Sequence, residues 1–63
     1  MRPNDDAIRE ALHAHGLYDR ALDSDWAEVR GWGETEIVCK RARCTPANLR
    51  NFIIDEVARR DTL

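Results

Sequence analysis

The chain has 63 residues, of which 43% are apolar and 35% charged, and its formal net charge is −2. A chain of this length is expected to form one domain close to the lower limit for a self-supporting core. It buries only about 60% of its unfolded surface, which argues against a deep substrate pocket. Regular apolar spacing argues against disorder, and no run approaches 18 uncharged apolar residues, so the composition points to a soluble globular domain with no membrane span.

The opening stretch MRPNDDAIRE places two aspartates where an export signal would have its apolar region, so a cytoplasmic location is expected. Cys39 and Cys44 are then expected to stay reduced. The net charge conceals an asymmetry. Residues 1 to 36 hold nine carboxylates against four arginines, whereas residues 37 to 54 hold Lys40, Arg41, Arg43 and Arg50 and no acid. A basic segment on an acidic body is an electrostatic footprint for phosphate or for an acidic protein. The alternative is that the acidic half pairs with the basic segment inside the fold.

The first element predicted is a helix over residues 5 to 15, with Asn4 as its cap, Asp5 and Asp6 at the positive end of the helix dipole, and Gly16 as its stop. Ile8, Ala11, Leu12 and His15 fall on one face of it. Between Leu17 and Gly33 the pattern is weaker. Asp25 followed by Glu28 reads as a capping box that opens a short helix through Trp26, Val29 and Arg30 and ends at Gly31. Trp26, Val29 and Trp32 are then expected in the core. A competing arrangement pairs residues 26 to 31 with 35 to 40 as a hairpin around Gly31-Trp32-Gly33, since Thr35, Ile37 and Val38 are β-branched. The last element is a helix from Pro46 to about Arg60. Thr45 is its cap, Pro46 its first residue, Leu49, Phe52, Ile53 and Val57 its apolar stripe, and Arg59 and Arg60 lie at its negative end. The fold class expected is mainly α, a small three- or four-helix domain, with α-β-β-α as the alternative.

The stretch VCKRARCTPANLRNFI, Val38 to Ile53, resembles the helix-turn-helix DNA-binding domains. Val38, Cys39 and Ala42 take the inward positions of a first helix, Cys44 takes the apolar place in the turn, Thr45 caps the second helix, and Leu49 and Phe52 lock it against the first. The segment departs from the family at Arg43, where glycine usually serves a left-handed backbone, and at Ala42, where a larger leucine is common. The resemblance implies a small DNA-binding regulator whose second helix lies in the major groove, and because one small module gives little affinity a homodimer is expected. Thr45, Ala47, Arg50 and Asn51 would face the bases there, with Arg50 on guanine and Asn51 on adenine. Lys40, Arg41 and Arg43 would contact phosphates.

Other chemistries fit the sequence less well. His13 and His15 with Cys39 and Cys44 are the residue types of a zinc site, but histidines two apart on a helix point to different sides. Neither a metal nor another cofactor is expected. There is no nucleophile elbow, phosphate loop or HExxH; Ser24 sits among capping aspartates, and the pairs Asp5-Asp6 and Asp55-Glu56 read as solvated helix charges, so an enzyme is not expected. The alternative function is an acidic protein-binding module, an inhibitor or adaptor. It would use Tyr18, Trp26 and Trp32, with Phe52 where exposed, as anchors, and Asp19, Asp23, Asp25 and Glu28 as a negative face for a basic groove on a larger protein.

Overall fold

A computed structural model describes residues 4 to 61. Five helices follow one another along these residues: α1 (Asp5–Ala14), α2 (Tyr18–Asp23), α3 (Trp26–Arg30), α4 (Gly33–Ala42) and α5 (Pro46–Asp61). The domain is thus mainly α. The hairpin at residues 26 to 40 is not formed: α3 and α4 occupy that stretch, and no strand occurs among the described residues.

α1 begins with Asp5 and Asp6 and buries Ile8, Ala11 and Leu12. Two expectations for it are corrected. Asn4 makes no side-chain cap; its amide instead donates to the backbone oxygen of Arg43 at 3.3 Å, tying the start of α1 to the turn before α5. His15 lies beyond the last helical residue and is exposed, because the chain has already turned away from the core.

That turn is built on Gly16, whose φ of +66° is available to glycine without steric cost. Leu17 N–H donates to the Leu12 carbonyl at 2.8 Å and Gly16 N–H to the His13 carbonyl at 3.0 Å. This pair of bonds is the Schellman closure of a helix end, and buried Leu12 and Leu17 supply its apolar contact.

α2 is a helix of six residues that buries Ala21 and Leu22. α3 starts as its capping residues predict, with the Asp25 carboxylate accepting the Glu28 N–H at 2.8 Å. The Thr35 hydroxyl, from α4, donates back to the Val29 carbonyl and fixes the α3–α4 corner. Inside α4 the β-branched residues divide at helical spacing: Thr35 and Val38 are buried and Ile37 is exposed.

α4 closes by the same pair of bonds as α1. Cys44 N–H donates to the Cys39 carbonyl at 3.0 Å and Arg43 N–H to that of Lys40 at 3.3 Å, with Arg43 in the left-handed region at φ 54°, ψ 45°. A three-residue turn, Arg43-Cys44-Thr45, then leads into α5, where the Thr45 hydroxyl accepts the Asn48 N–H at 3.1 Å.

One core runs through all five helices, with Phe52, Ile8, Leu49, Val29 and Val38 fully enclosed. Phe52, at 1% exposure, is therefore no surface anchor. Trp26 and Trp32 are half-buried and pack against the core rather than inside it.

α5 is fastened to α1 and α2 by a polar cluster. Glu56, taken as a solvated charge from the sequence, is buried at 6% exposure. Its carboxylate accepts Arg9 Nη2 at 2.9 Å, Arg9 Nε and Arg59 Nη1 at 3.3 Å, and the Tyr18 hydroxyl at 2.6 Å. The Arg9 guanidinium also lies 5.4 Å from the centre of the Phe52 ring. The hydrogen bond to Arg9 holds the Glu56 carboxyl down to about 2, against the opposing effect of burial and with help from Tyr18. Donating to this carboxylate raises the Tyr18 phenol above its ordinary value.

Candidate functional site

Seven side chains of the α4–α5 unit were singled out by the sequence: Lys40, Arg41, Arg43, Thr45, Ala47, Arg50 and Asn51. All seven are exposed. Ala47, Arg50, Asn51 and Ile54 recur at three- and four-residue spacing, so they share one face of α5, opposite the side that buries Leu49, Phe52, Ile53 and Glu56. The backbone of the turn decides where the phosphate-contact candidates sit. Ending α4 at a left-handed Arg43 breaks the helical path, so that Arg43 lines one groove with Lys40 and Pro46.

That groove has a volume of about 610 Å³, and Arg30, Trp32 and Glu36 also line it. A second, smaller groove of about 250 Å³ adjoins it, sharing Arg30 and Pro46, and is also lined by Trp26, Ala47, Arg50 and Asn51. The α3–α4 corner thus brings Arg30 and both tryptophans beside the basic segment. Sequence reasoning left Arg30 out of the site. It precedes the basic segment by ten positions, and only its place at the end of the short α3 brings it to the groove.

The electrostatics separate two arrangements that the sequence left open. The basic segment is not neutralised by the acidic half: among the described residues, Arg30, Lys40, Arg41, Arg43 and Arg50 make no ion pair. Ion pairs instead join Arg9 to Glu56 and Asp6, Arg59 to Glu56, and Arg60 to Asp23 at 3.7 Å. Arg20 is held over the Trp32 ring, its guanidinium carbon 4.2 Å from the ring centre. The positive charge beside α5 is therefore directed outward.

The candidate protein-binding residues are dispersed by comparison. Tyr18 is half-buried, hydrogen-bonded to Glu56 and stacked on His13 at 4.2 Å between ring centres. Asp23 pairs with Arg60, and the Asp25 carboxylate caps α3. Asp19 and Glu28 are exposed. Trp26 and Trp32 line the grooves of the basic side, and Trp26 also lines a neighbouring groove with Asp25.

The thiols belong to the turn. Cys39 is buried and Cys44 half-buried, and neither forms a disulfide. Burial first, and then the neighbouring Cys39, pushes the Cys44 thiol up to about 12, which keeps it protonated at neutral pH. No group of three His, Cys, Asp or Glu side chains is placed to hold a metal ion among the described residues. No helix among them is long and apolar enough to cross a membrane.

Comparisons with protein-family models, with curated proteins and with solved structures each returned no match.

Proposed function

We propose that this domain is a non-enzymatic DNA-binding regulator that reads DNA with the α4–α5 pair. The observation that carries this proposal is a set of exposed cations that make no ion pair among the described residues, Arg30, Lys40, Arg41, Arg43 and Arg50, on a chain whose remaining charges are predominantly acidic. Such a surface gains affinity by displacing the counterions condensed on phosphates, while the acidic remainder orients the approach. The three-residue turn, the Thr45 cap and the exposed Ala47-Arg50-Asn51 face match the resemblance to helix-turn-helix domains. In that arrangement Arg50 and Asn51 meet base edges and Lys40, Arg41 and Arg43 meet phosphates.

Arg43 adds support from the energetics. A left-handed backbone costs a side-chain-bearing residue about 1–2 kcal/mol relative to the right-handed one. Glycine at the equivalent place after α1 avoids that cost. An arginine retained there is explained if its charge is used. A single module of this size buries little DNA surface, so the proposal includes a homodimer on two half-sites, acting in the cytoplasm with its thiols reduced.

The test is fluorescence anisotropy with a labelled duplex. Arg50→Ala is expected to cost about 1–3 kcal/mol on a preferred sequence and little on others. Lys40→Ala should weaken all sequences alike and lower the salt slope by about one. If the protein binds no random duplex at about 50 to 100 mM salt, where the counterion contribution is strong, the proposal fails. The alternative of an acidic protein-binding module then takes its place.

A further inference from the structure

The two grooves beside α5 have a composition that duplex recognition does not require. Each carries a tryptophan at its wall, Trp32 in the larger and Trp26 in the smaller, and they meet at Arg30 and Pro46. Lys40 and Arg43 stand over the larger groove and Arg50 over the smaller one, all without carboxylate partners among the described residues. At about 610 Å³ the larger groove lies within the roughly 300–1,000 Å³ of small-ligand sites.

We infer that this continuous groove binds single-stranded nucleic acid, with bases stacked on Trp32 and Trp26 and the backbone phosphates held by Arg30, Lys40 and Arg43. The inference rests on the basic side being a nucleic-acid surface, and it names the strand state that the groove takes. Aromatic rings spaced along a cationic channel are the chemistry that holds an unpaired strand, since every base offers a face to stack while the phosphates supply the salt-dependent attraction. A duplex keeps its bases stacked on one another and has no use for the two indoles.

Trp32 is prepared for this role. The Arg20 guanidinium lies over its ring, and its backbone opens α4, so the half-buried indole is held in a fixed orientation at the groove wall. Glu36, the carboxylate lining the same groove, repels phosphate. It therefore sets the base side of the channel, where it accepts a hydrogen bond from an exocyclic amine such as that of cytosine.

Trp26 and Trp32 are the two tryptophans of the chain, so intrinsic fluorescence reports on this groove directly. A mixed-sequence single strand of about 12 nucleotides, within the footprint of small single-strand-binding modules, is titrated into the full chain. The same sequence as a duplex is titrated in parallel. Quenching by the single strand is expected, with affinity weakened roughly ten-fold or more by Trp32→Ala and by Arg30→Ala. Arg30 is exposed, so its variant should keep the wild-type circular dichroism even if the tryptophan variant loses stability. Duplex binding with no quenching by the single strand would overturn the inference and leave the DNA proposal standing. Failure to bind either form would overturn both. Single-strand binding that Arg30→Ala and Trp32→Ala leave unchanged would place the strand elsewhere and also overturn the inference.

Discussion

Removing the charge of Glu56 should cost this domain a large part of its stability, and most of that cost should disappear in acid. The folded carboxyl is held at about 2 against an ordinary 4.5, chiefly by its hydrogen bond from Arg9. That gap corresponds to about 3 kcal/mol of stabilisation from the ionised form. Because the folded value lies below the unfolded one, the unfolded chain takes up the proton first. The contribution is complete above about pH 4.5 and is lost as the pH falls towards 2.

Glu56→Gln keeps the shape and an acceptor for Tyr18 but leaves Arg9 facing a neutral amide. Arg9, whose side chain is 28% exposed, recovers part of the loss from water, so about 2–3 kcal/mol is expected at pH 7. For a domain of 63 residues with a total stability of roughly 3–9 kcal/mol, this amounts to a fall in Tm of roughly 10–20 °C. Urea unfolding followed by far-ultraviolet circular dichroism at pH 7 and near pH 2.5 measures it. The difference between wild type and variant should be large at pH 7 and fall to roughly a quarter of that near pH 2.5, where the unfolded carboxyl is protonated and the folded one only partly so. A difference below about 0.5 kcal/mol at pH 7, or one that persists undiminished at low pH, would refute an electrostatic role for the cluster.

Three further outcomes are expected. Arg43→Gly should stabilise the domain by about 0.5–1 kcal/mol by relieving the left-handed backbone, while weakening DNA binding through the lost charge; chemical denaturation and anisotropy on the same sample check both signs. Thr45→Ala should cost about 1 kcal/mol by removing the α5 cap, read from the shift in urea midpoint at constant slope. Cys44, with its thiol pushed up to about 12, should react with iodoacetamide at pH 7.5 far more slowly than free cysteine; a rate equal to that of the free amino acid would contradict the burial assigned to it.

Sequence reasoning was most informative where several local causes agree. In α5 the cap, the proline, the apolar stripe and the terminal arginines all point to one helix, and Pro46–Asp61 is helical. α1 is equally plain through its aspartates and Gly16. α2 escaped notice because a helix of six residues with only Ala21 and Leu22 buried has too few positions to show a period. The β-branched run Thr35, Ile37 and Val38 suggested a strand, but tertiary packing buries Thr35 and Val38 together with Cys39 and Ala42 at helical spacing and outweighs the local propensity.

The site divides in the same way. The basic residues of α4 and α5 were visible as a charge run. Their lack of internal partners, and the meeting of Arg30, Trp26 and Trp32 beside them, depend on how the helices are placed. Glu56 was misjudged because its partners Arg9 and Tyr18 lie 47 and 38 positions away, beyond the reach of any local pattern.

The measurement closest to the central claim is the salt dependence of binding to a random-sequence duplex, for the wild type and for a variant with Lys40, Arg41, Arg43 and Arg50 all changed to alanine. The three phosphate contacts of Lys40, Arg41 and Arg43 give a slope of log affinity against log salt of about −2.7. The variant should show a slope near zero and no binding at about 50 mM salt, with its circular dichroism unchanged because all four side chains are exposed. A wild-type protein that binds no duplex at that salt concentration, or a variant that binds as tightly and with the same slope, would contradict the assignment of this basic face to nucleic acid.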